Sequence, residues 1–363
     1  MSIVLDARTA TAHFPGIGRY VTDLAHALQP LTPDLHLLTN PQTPIHTLPP
    51  VPQTACSASP FSVAQQWHIP AALRRARATL YHSPYYLMPY APGLPTVLTV
   101  YDVIPLLYPH YYTAIQRLIF RVAHTLALHA ARTVIAISET TKRDFVRLFR
   151  VPENKIVVTP LAADSHFRPA APQAIAALRR RFGLPENYIL YFGSNKPHKN
   201  LVRLVTAFGQ SPLFNLQSSL ALIIAGHWDT RYPEAKQLTE QRGWQDRVKF
   251  IGPVAEADLP ALYSGALLFI FPSEYEGFGL PVLEAMACGA PVACANTSSL
   301  PEVAGEAALL FDPTSIEALS EAMAQVSMDA ARRAHLQEQS LKQAAQFSWR
   351  QTAFQTLQIY RLP

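Results

Sequence analysis

The chain has 363 residues, 49% hydrophobic and 15% charged, a size and composition that suit two compact domains and exclude a single small module or a disordered chain. Its 30 Lys or Arg against 25 Asp or Glu leave a formal charge of +5, compatible with a phosphorylated ligand or an anionic membrane surface, and no basic face interleaved with aromatics argues for nucleic acid. Cys56, Cys288 and Cys294 are too few and too scattered for a disulfide scaffold or a common zinc motif, and the last two lie in apolar stretches where core residues are expected.

Met1 leads directly into a strand pattern rather than a basic, apolar and small-residue leader, and no apolar run reaches the roughly 18 residues of a spanning helix. A cytoplasmic enzyme is expected, with peripheral contact at the inner membrane left open. In the first half, runs rich in Val, Ile and Leu predict strands at Ser2 to Leu5, Leu35 to Leu38, Thr96 to Val100, Thr133 to Ile137 and Ile156 to Thr159. Helical spacing falls between them at Ile17 to Leu28, Ile115 to Ala131 and Thr140 to Phe149, while the prolines from Pro41 to Pro60, including Pro44, Pro49, Pro50 and Pro52, mark connections.

The same grammar restarts after the segment Phe167 to Pro172. Strands are predicted at Tyr188 to Phe192, Leu220 to Ala225, Val248 to Ile251, Leu268 to Phe271, Pro291 to Ala295 and Ala308 to Phe311, with helices at Asn200 to Phe208, Asp258 to Tyr263 and Leu280 to Cys288. Strands alternating with helices call for parallel sheets covered by crossover helices, an α/β fold. The expected organisation is one domain at 1–168, a second at 175–346, and a final helical segment, 347–363, that can return to the first. Polar and tight-turn residues at strand carboxyl ends, such as Gly226, Pro272 and Ser273, stand where open α/β sheets bind ligands.

The richest segment runs from Phe271 to Gly289, where an apolar strand ends in Pro272 and Ser273, and Gly277 and Gly279 bracket a turn into a helix with Pro281 in its first turn. Unpaired amides at Gly279 and Leu280, beside Phe278, can cradle sugar hydroxyls or diphosphate oxygens. Glu276 in the loop and Glu284 past the first helical turn can accept hydrogen bonds from two parts of an elongated ligand, although isolated glutamates are more often surface or cap residues. Lys199, in the loop Tyr191 to Asn200, offers a compact charge to a diphosphate, Asn200 caps or shapes the turn, and Lys196 is the weaker phosphate candidate because it can face solvent.

The stretch 276–292, EGFGLPVLEAMACGAPV, with its two glutamates eight positions apart, and SSLPEVAG at 298–305 resemble the retaining glycosyltransferase superfamily that includes sucrose synthases, glycogen synthases and bacterial mannosyl- and glucosyltransferases. The resemblance spans nearly the whole chain and implies the GT-B type fold, two Rossmann-like domains facing a cleft. It implies that Glu276 contacts the transferred sugar, Glu284 holds the nucleotide ribose and Lys199 meets the diphosphate. Ser194 stands where many relatives carry an earlier arginine, which leaves the second phosphate-binding charge unassigned. Pro197-His-Lys-Asn200 looks like bacterial enzymes of surface polysaccharide synthesis, and the donor it implies is GDP-mannose, with a UDP-hexose close behind.

On the other side, Pro15-Gly-Ile-Gly-Arg-Tyr20 follows Asp6-Ala-Arg8. Gly16 and Gly18 either make a tight helix start or permit close approach to phosphate or sugar, and Arg19 can position an anionic acceptor. By the resemblance this loop lines the donor and acceptor cleft. Tyr101 and Asp102 stand where relatives commonly show His-Asp, so no catalytic histidine is assigned there; Asp102 is either an acceptor-orienting group or a turn cap. Ser138 is expected to cap the helix that follows, with Glu139 beside it. Around Leu106 to Arg121, aromatics, leucines and Arg117 or Arg121 can meet a lipid-linked acceptor or membrane, internal packing being the commoner fate of such apolar residues.

The expected reaction is transfer of a hexose from a nucleotide diphosphate-sugar to a glycan or lipid-linked saccharide, with no metal implied. A catalytically silent nucleotide-sugar sensor is the alternative from another functional class, and a phosphate-dependent glycan phosphorylase the alternative among enzymes.

Overall fold

The computed structural model describes residues 2–11, 13–43, 47–216 and 219–362. Pro44, one of the expected connection prolines, lies outside them. The chain divides into two compact units, Met1–Leu161 with Ser348–Pro363, and Ala162–Phe347.

The first unit is a parallel sheet of seven strands: β1 (Ile3–Asp6), β2 (Leu35–Thr39), β3 (Gln53–Ala55), β4 (Leu80–Ser83), β5 (Thr96–Val100), β6 (Thr133–Ala136) and β7 (Ile156–Val158), in the order β3-β2-β1-β4-β5-β6-β7. Its helices are α1 (Pro15–Leu28), α2 (Gln65–Arg75), α3 (Ile104–Leu107), α4 (Ala114–Ala130) and α5 (Glu139–Phe149), joined by the last helix of the chain. Pro15 opens α1, where a missing amide hydrogen costs least, and Val21, Leu24, Ala25 and Leu28 recur on its buried face. The Ser138 hydroxyl accepts from the Thr141 amide and caps α5, and Thr113 with Gln116 forms a capping box on α4.

The second unit has six parallel strands, β8 (Tyr188–Phe192), β9 (Ala221–Ala225), β10 (Val248–Gly252), β11 (Leu268–Phe271), β12 (Val292–Ala295) and β13 (Leu309–Phe311), ordered β10-β9-β8-β11-β12-β13. Around it lie α6 (Pro172–Phe182), α7 (Leu201–Gln210), α8 (Pro212–Leu216), α9 (Glu234–Gln241), α10 (Leu259–Ser264), α11 (Leu280–Ala287), α12 (Leu300–Ala304), α13 (Ile316–Met328) and α14 (Ala330–Ala344). The strands of both sheets are largely buried on both faces, as β5 and β9 are throughout, which is why they read as continuous apolar runs instead of alternating ones. Finally α15 (Trp349–Tyr360) belongs to the first unit, packing against α1 and burying Ala353, Leu357, Ile359 and Tyr360.

Both sheets are doubly wound, and the strand order reverses between β1 and β4 in one and between β8 and β11 in the other. The loops leaving those strands therefore diverge to opposite faces and open a crevice at the carboxyl edge of each sheet.

The elements that were expected agree with the observed ones to within one or two residues, but β3, β4, α2, α3, α6, α8, α9 and α12 to α14 were not among them. β3 lies within the proline-bearing stretch as an edge strand bonded only to β2, a position that tolerates flanking prolines. β4 carries the buried polar residues His82, whose ring meets the distant Thr99 and Tyr360 hydroxyls, and Ser83, whose hydroxyl donates to the Tyr85 carbonyl two residues on. All three cysteines are buried and unpaired.

Candidate active site

In the second unit, the loop after β8 and the loop after β11 leave the two strands that flank the switch point. The first ends in a short turn, Pro197–Lys199, and in Asn200, whose backbone is left-handed at φ 64°. The Asn200 side chain does not cap α7: its amide nitrogen donates to the carbonyls of Pro272, at 3.1 Å, and Pro313, at 2.7 Å. Of the two expected roles it shapes the turn, and it also stitches that turn to the loop after β11. The Glu274 amide donating to the His198 carbonyl at 2.8 Å, and the Ser273 hydroxyl donating to the same oxygen at 3.2 Å, complete the seam.

This seam brings Lys199 to Glu276, with Nζ and Oε1 2.5 Å apart, and sets the ammonium 5.5 Å from the centre of the Phe271 ring. Both side chains are mostly shielded from solvent, at 15% and 12% exposure, so the pair lies where charge interactions are stronger than in water. The Glu276 backbone is held in turn: its amide donates to the Ser298 hydroxyl at 3.0 Å, and its carbonyl accepts from the Ser299 hydroxyl at 2.9 Å. Ser299 also donates to the Phe278 carbonyl at 2.8 Å. The 298–305 segment therefore acts as a brace for the glutamate loop, a role its sequence did not reveal.

Gly279 sits at φ 102° immediately before α11, and a β-carbon there would come within 2.6 Å of Leu300. The positive φ favours glycine, and any side chain there would also have to displace the Leu300 methyl. The Phe278 side chain is buried and packs against Phe347, ring centres 6.0 Å apart. Glu284 is buried on α11 and accepts from the Tyr263 hydroxyl at 3.1 Å, apart from the Lys199–Glu276 pair. Its nearness and burial push the Cys288 thiol, one turn later, up to about 12, burial being the larger cause. Tyr263 was not singled out in the sequence, nor was Arg203, which bridges Asn200 Oδ1 at 2.5 Å and Glu274 Oε1 at 3.0 Å; its three-residue spacing from Asn200 on a helix was the available signal. Lys196 is exposed.

An apolar recess at the carboxyl ends of β8 to β10 is lined by Gly193, Asn195, Ile224, Gly226 and Trp228, with the Lys236 ammonium 4.2 Å from the centre of the Trp228 ring.

In the first unit, a β-carbon at Gly18 would press within 3.3 Å of the Thr9 and Thr11 backbone, whereas one at Gly16 would meet nothing within 4 Å. Gly18 thus serves the tight helix start, and Gly16 lies on the open side of the loop. Arg19 is half-buried beside them. Asp102 caps the turn into α3 by accepting from the Ile104 amide at 3.0 Å. The Tyr101 hydroxyl is buried without a hydrogen-bond partner among the described residues, its ring edge-on to Tyr20 with centres 5.7 Å apart. Burial, and then the neighbouring Tyr20, raise its pKa well above the usual phenol value, which keeps it a donor. Behind it, Tyr20, Thr99, His82 and Tyr360 form a buried chain with links of 2.9, 2.8 and 2.6 Å.

Two family models account for most of the chain: Glycosyltransferase Family 4 matches residues 15–167 and Glycosyl transferases group 1 matches residues 176–343. The O-antigen chain mannosyltransferase B of Escherichia coli is 34% identical over 80% of this chain and 76% of its own length. Serotype-specific mannosyltransferase WbdA, also of Escherichia coli, is 31% identical over 71% of this chain, which spans only 32% of that longer relative. Anabaena HepE, solved in complex with UDP and glucose, superposes with a TM-score of 0.80 at 22% identity, covering 100% of each chain, and shares the GT-B fold. On these matches and this doubly wound architecture, the chain is a member of the GT-B glycosyltransferases, a nucleotide-sugar-dependent hexosyltransferase.

Proposed function

We propose that this enzyme moves mannose from GDP-mannose to a glycan or lipid-linked saccharide during surface polysaccharide synthesis, with retention at the anomeric carbon. The observation that carries the reading is the pairing of Lys199 with Glu276 above the switch point. An ammonium with three donor hydrogens can hold the carboxylate and still meet a diphosphate, so the pair links the leaving group to the sugar. Lys199 and the amides at the start of α11 stabilise the negative charge that grows on the phosphate as its bond to the sugar breaks. Glu276 accepts hydrogen bonds from sugar hydroxyls and orients the ring, and Glu284 exchanges its Tyr263 partner for a ribose hydroxyl. The recess beside Trp228 suits a flat nucleobase.

The acceptor hydroxyl oxygen bonds to the anomeric carbon on the face the phosphate leaves, and its proton passes to that phosphate, releasing a nucleoside diphosphate. Gly16, Arg19, Tyr101 and Asp102 line the acceptor and sugar side, with Tyr101 as a donor. The mannose assignment follows the two mannosyltransferase relatives. A UDP-hexose is the second reading, favoured by the UDP and glucose held by HepE. A lipid-linked acceptor brings peripheral contact with a membrane.

The test is mass-resolved turnover of a nucleotide-sugar panel against lipid-linked and soluble glycan acceptors. Transfer of one hexose from GDP-mannose is expected, reduced at least about 100-fold in Glu276→Ala, on the scale of losing a transition-state contact of about 3 kcal/mol. Transfer from a UDP-sugar alone would overturn the mannose assignment, and nucleotide-sugar binding without transfer to any acceptor would mark a silent sensor.

A further inference from the structure

The α4 helix is amphipathic twice over. Phe120, Ala123, His124, Ala127 and Leu128 bury one face in the first unit, which uses up the packing this helix has to offer. Ile115, Leu118, Ile119, Val122 and Leu126 lie on the opposite face, between 44 and 70% exposed. Their spacing of three, four and seven residues makes a continuous stripe on one side of the helix. At 1.5 Å per residue it is roughly 16 Å long. Isolated exposed apolar residues need no explanation, but five in register over three turns do. Of the apolar residues expected to pack internally, Phe120 does so, whereas Ile115, Leu118 and Ile119 do not.

Charge indicates what covers the stripe. Between Asp102 and Glu139 the chain has no acidic residue, while Arg117 and Arg121 sit on α4 itself, Arg117 half-buried and Arg121 exposed. The excess of positive charge belongs entirely to this unit: it holds 15 Lys or Arg against 7 Asp or Glu, whereas the second unit holds 15 against 18. A second copy seated on the stripe would bring two basic units together, at a repulsive cost. An anionic surface removes that cost and accepts the arginine guanidiniums at its phosphates. No described helix is long and apolar enough to cross a membrane, so a helix of this kind lies in the interface plane with its apolar side down.

We propose that the outward face of α4 docks this enzyme on a bilayer carrying anionic headgroups, with Leu118, Ile119 and Val122 entering the acyl boundary and Arg121 at the phosphates. This deepens the reading of a lipid-linked acceptor by naming the surface that meets the membrane, yet it rests on the first unit alone.

The experiment is co-sedimentation of the full chain with vesicles of phosphatidylglycerol and phosphatidylcholine, against phosphatidylcholine alone, for the parent and for Leu118→Ser with Val122→Ser. Both changes are at exposed positions outside the catalytic residues. The parent is expected to bind the anionic vesicles, more weakly as salt rises, and the double variant to bind at least tenfold more weakly while transferring sugar to a soluble acceptor at the parent rate. Loss of transfer in the parent with vesicle binding intact would instead count against the transferase reading. Equal binding by parent and variant overturns the docking proposal, as does a parent that ignores vesicles and elutes as a dimer that the variant loses. Should the double variant fail to fold, Ile119→Trp decides: a blue shift of its emission on anionic vesicles supports the proposal, and an unchanged spectrum overturns it.

Discussion

Single residues in this enzyme matter according to who satisfies them. Arg8 is buried and forms a two-pronged pair with Asp6, Nε to Oδ1 at 2.9 Å and Nη2 to Oδ2 at 2.7 Å, while Tyr81 donates to the same carboxylate at 2.7 Å. Removing one partner of a buried pair strands the other charge, so Asp6→Asn should cost about 3–5 kcal/mol of stability, read as a drop in the midpoint of urea unfolding. A variant within about 1 kcal/mol of the parent would mean the guanidinium finds water or another acceptor. The Asp6-Ala-Arg8 motif was visible in the sequence, but its buried pairing was not, because the Tyr81 hydroxyl and the Ala58 carbonyl that complete it come from distant parts of the chain. Lys199 and Glu276 were legible as candidates from their loops; that they touch across 77 residues was not.

The elements repeat this division. Strands such as β8 and β11 declare themselves through apolar runs, whereas β4 hides because His82 and Ser83 break its run. The burial of His82 is explained by partners supplied from elsewhere, Thr99 on β5 and Tyr360 on α15, whereas Ser83 donates locally to the Tyr85 carbonyl. The α15 helix is therefore part of the first unit's core, burying Leu357, Ile359 and Tyr360 with nearly no solvent contact. At about 1.5–3 kcal/mol for each large apolar side chain, its removal forfeits an amount comparable to the net stability of a domain. Deletion of residues 348–363 should leave the first unit open to limited proteolysis at native temperature while the second resists. Protection of both units in the truncated chain would show that α15 contributes only to the surface.

At the scale of the whole molecule, three histidines among the described residues are buried without charge, His82 and His124 in the first unit and His198 in the second. Burial lowers each to about 3, with the Lys199 and Lys196 charges adding to the effect at His198. The unfolded chain takes up their protons near the ordinary value of about 6.5 and the folded chain does not, so stability is full above that pH and falls as the pH drops toward 3, by about 1.4 kcal/mol per unit for each group. The free energy of unfolding should thus fall by roughly 6 kcal/mol in all between about pH 7 and pH 5, read as a lower urea midpoint, and His124→Phe should flatten the slope; a flat profile in the parent would mean that these rings are protonated in the fold. The sequence by itself determined the α/β alternation, the restart that divides the chain, the loops that carry Lys199 and Glu276 and the helix that carries Glu284, because strand burial, helix periodicity and turn chemistry are local properties. Only the tertiary structure decided which strands flank each switch point, that α15 completes the first sheet's cover, that Ser298 and Ser299 brace the glutamate loop, and that the outer face of α4 stays open. Each of those depends on side chains that meet across long stretches of chain, and a periodic pattern states that a face is apolar without stating what covers it.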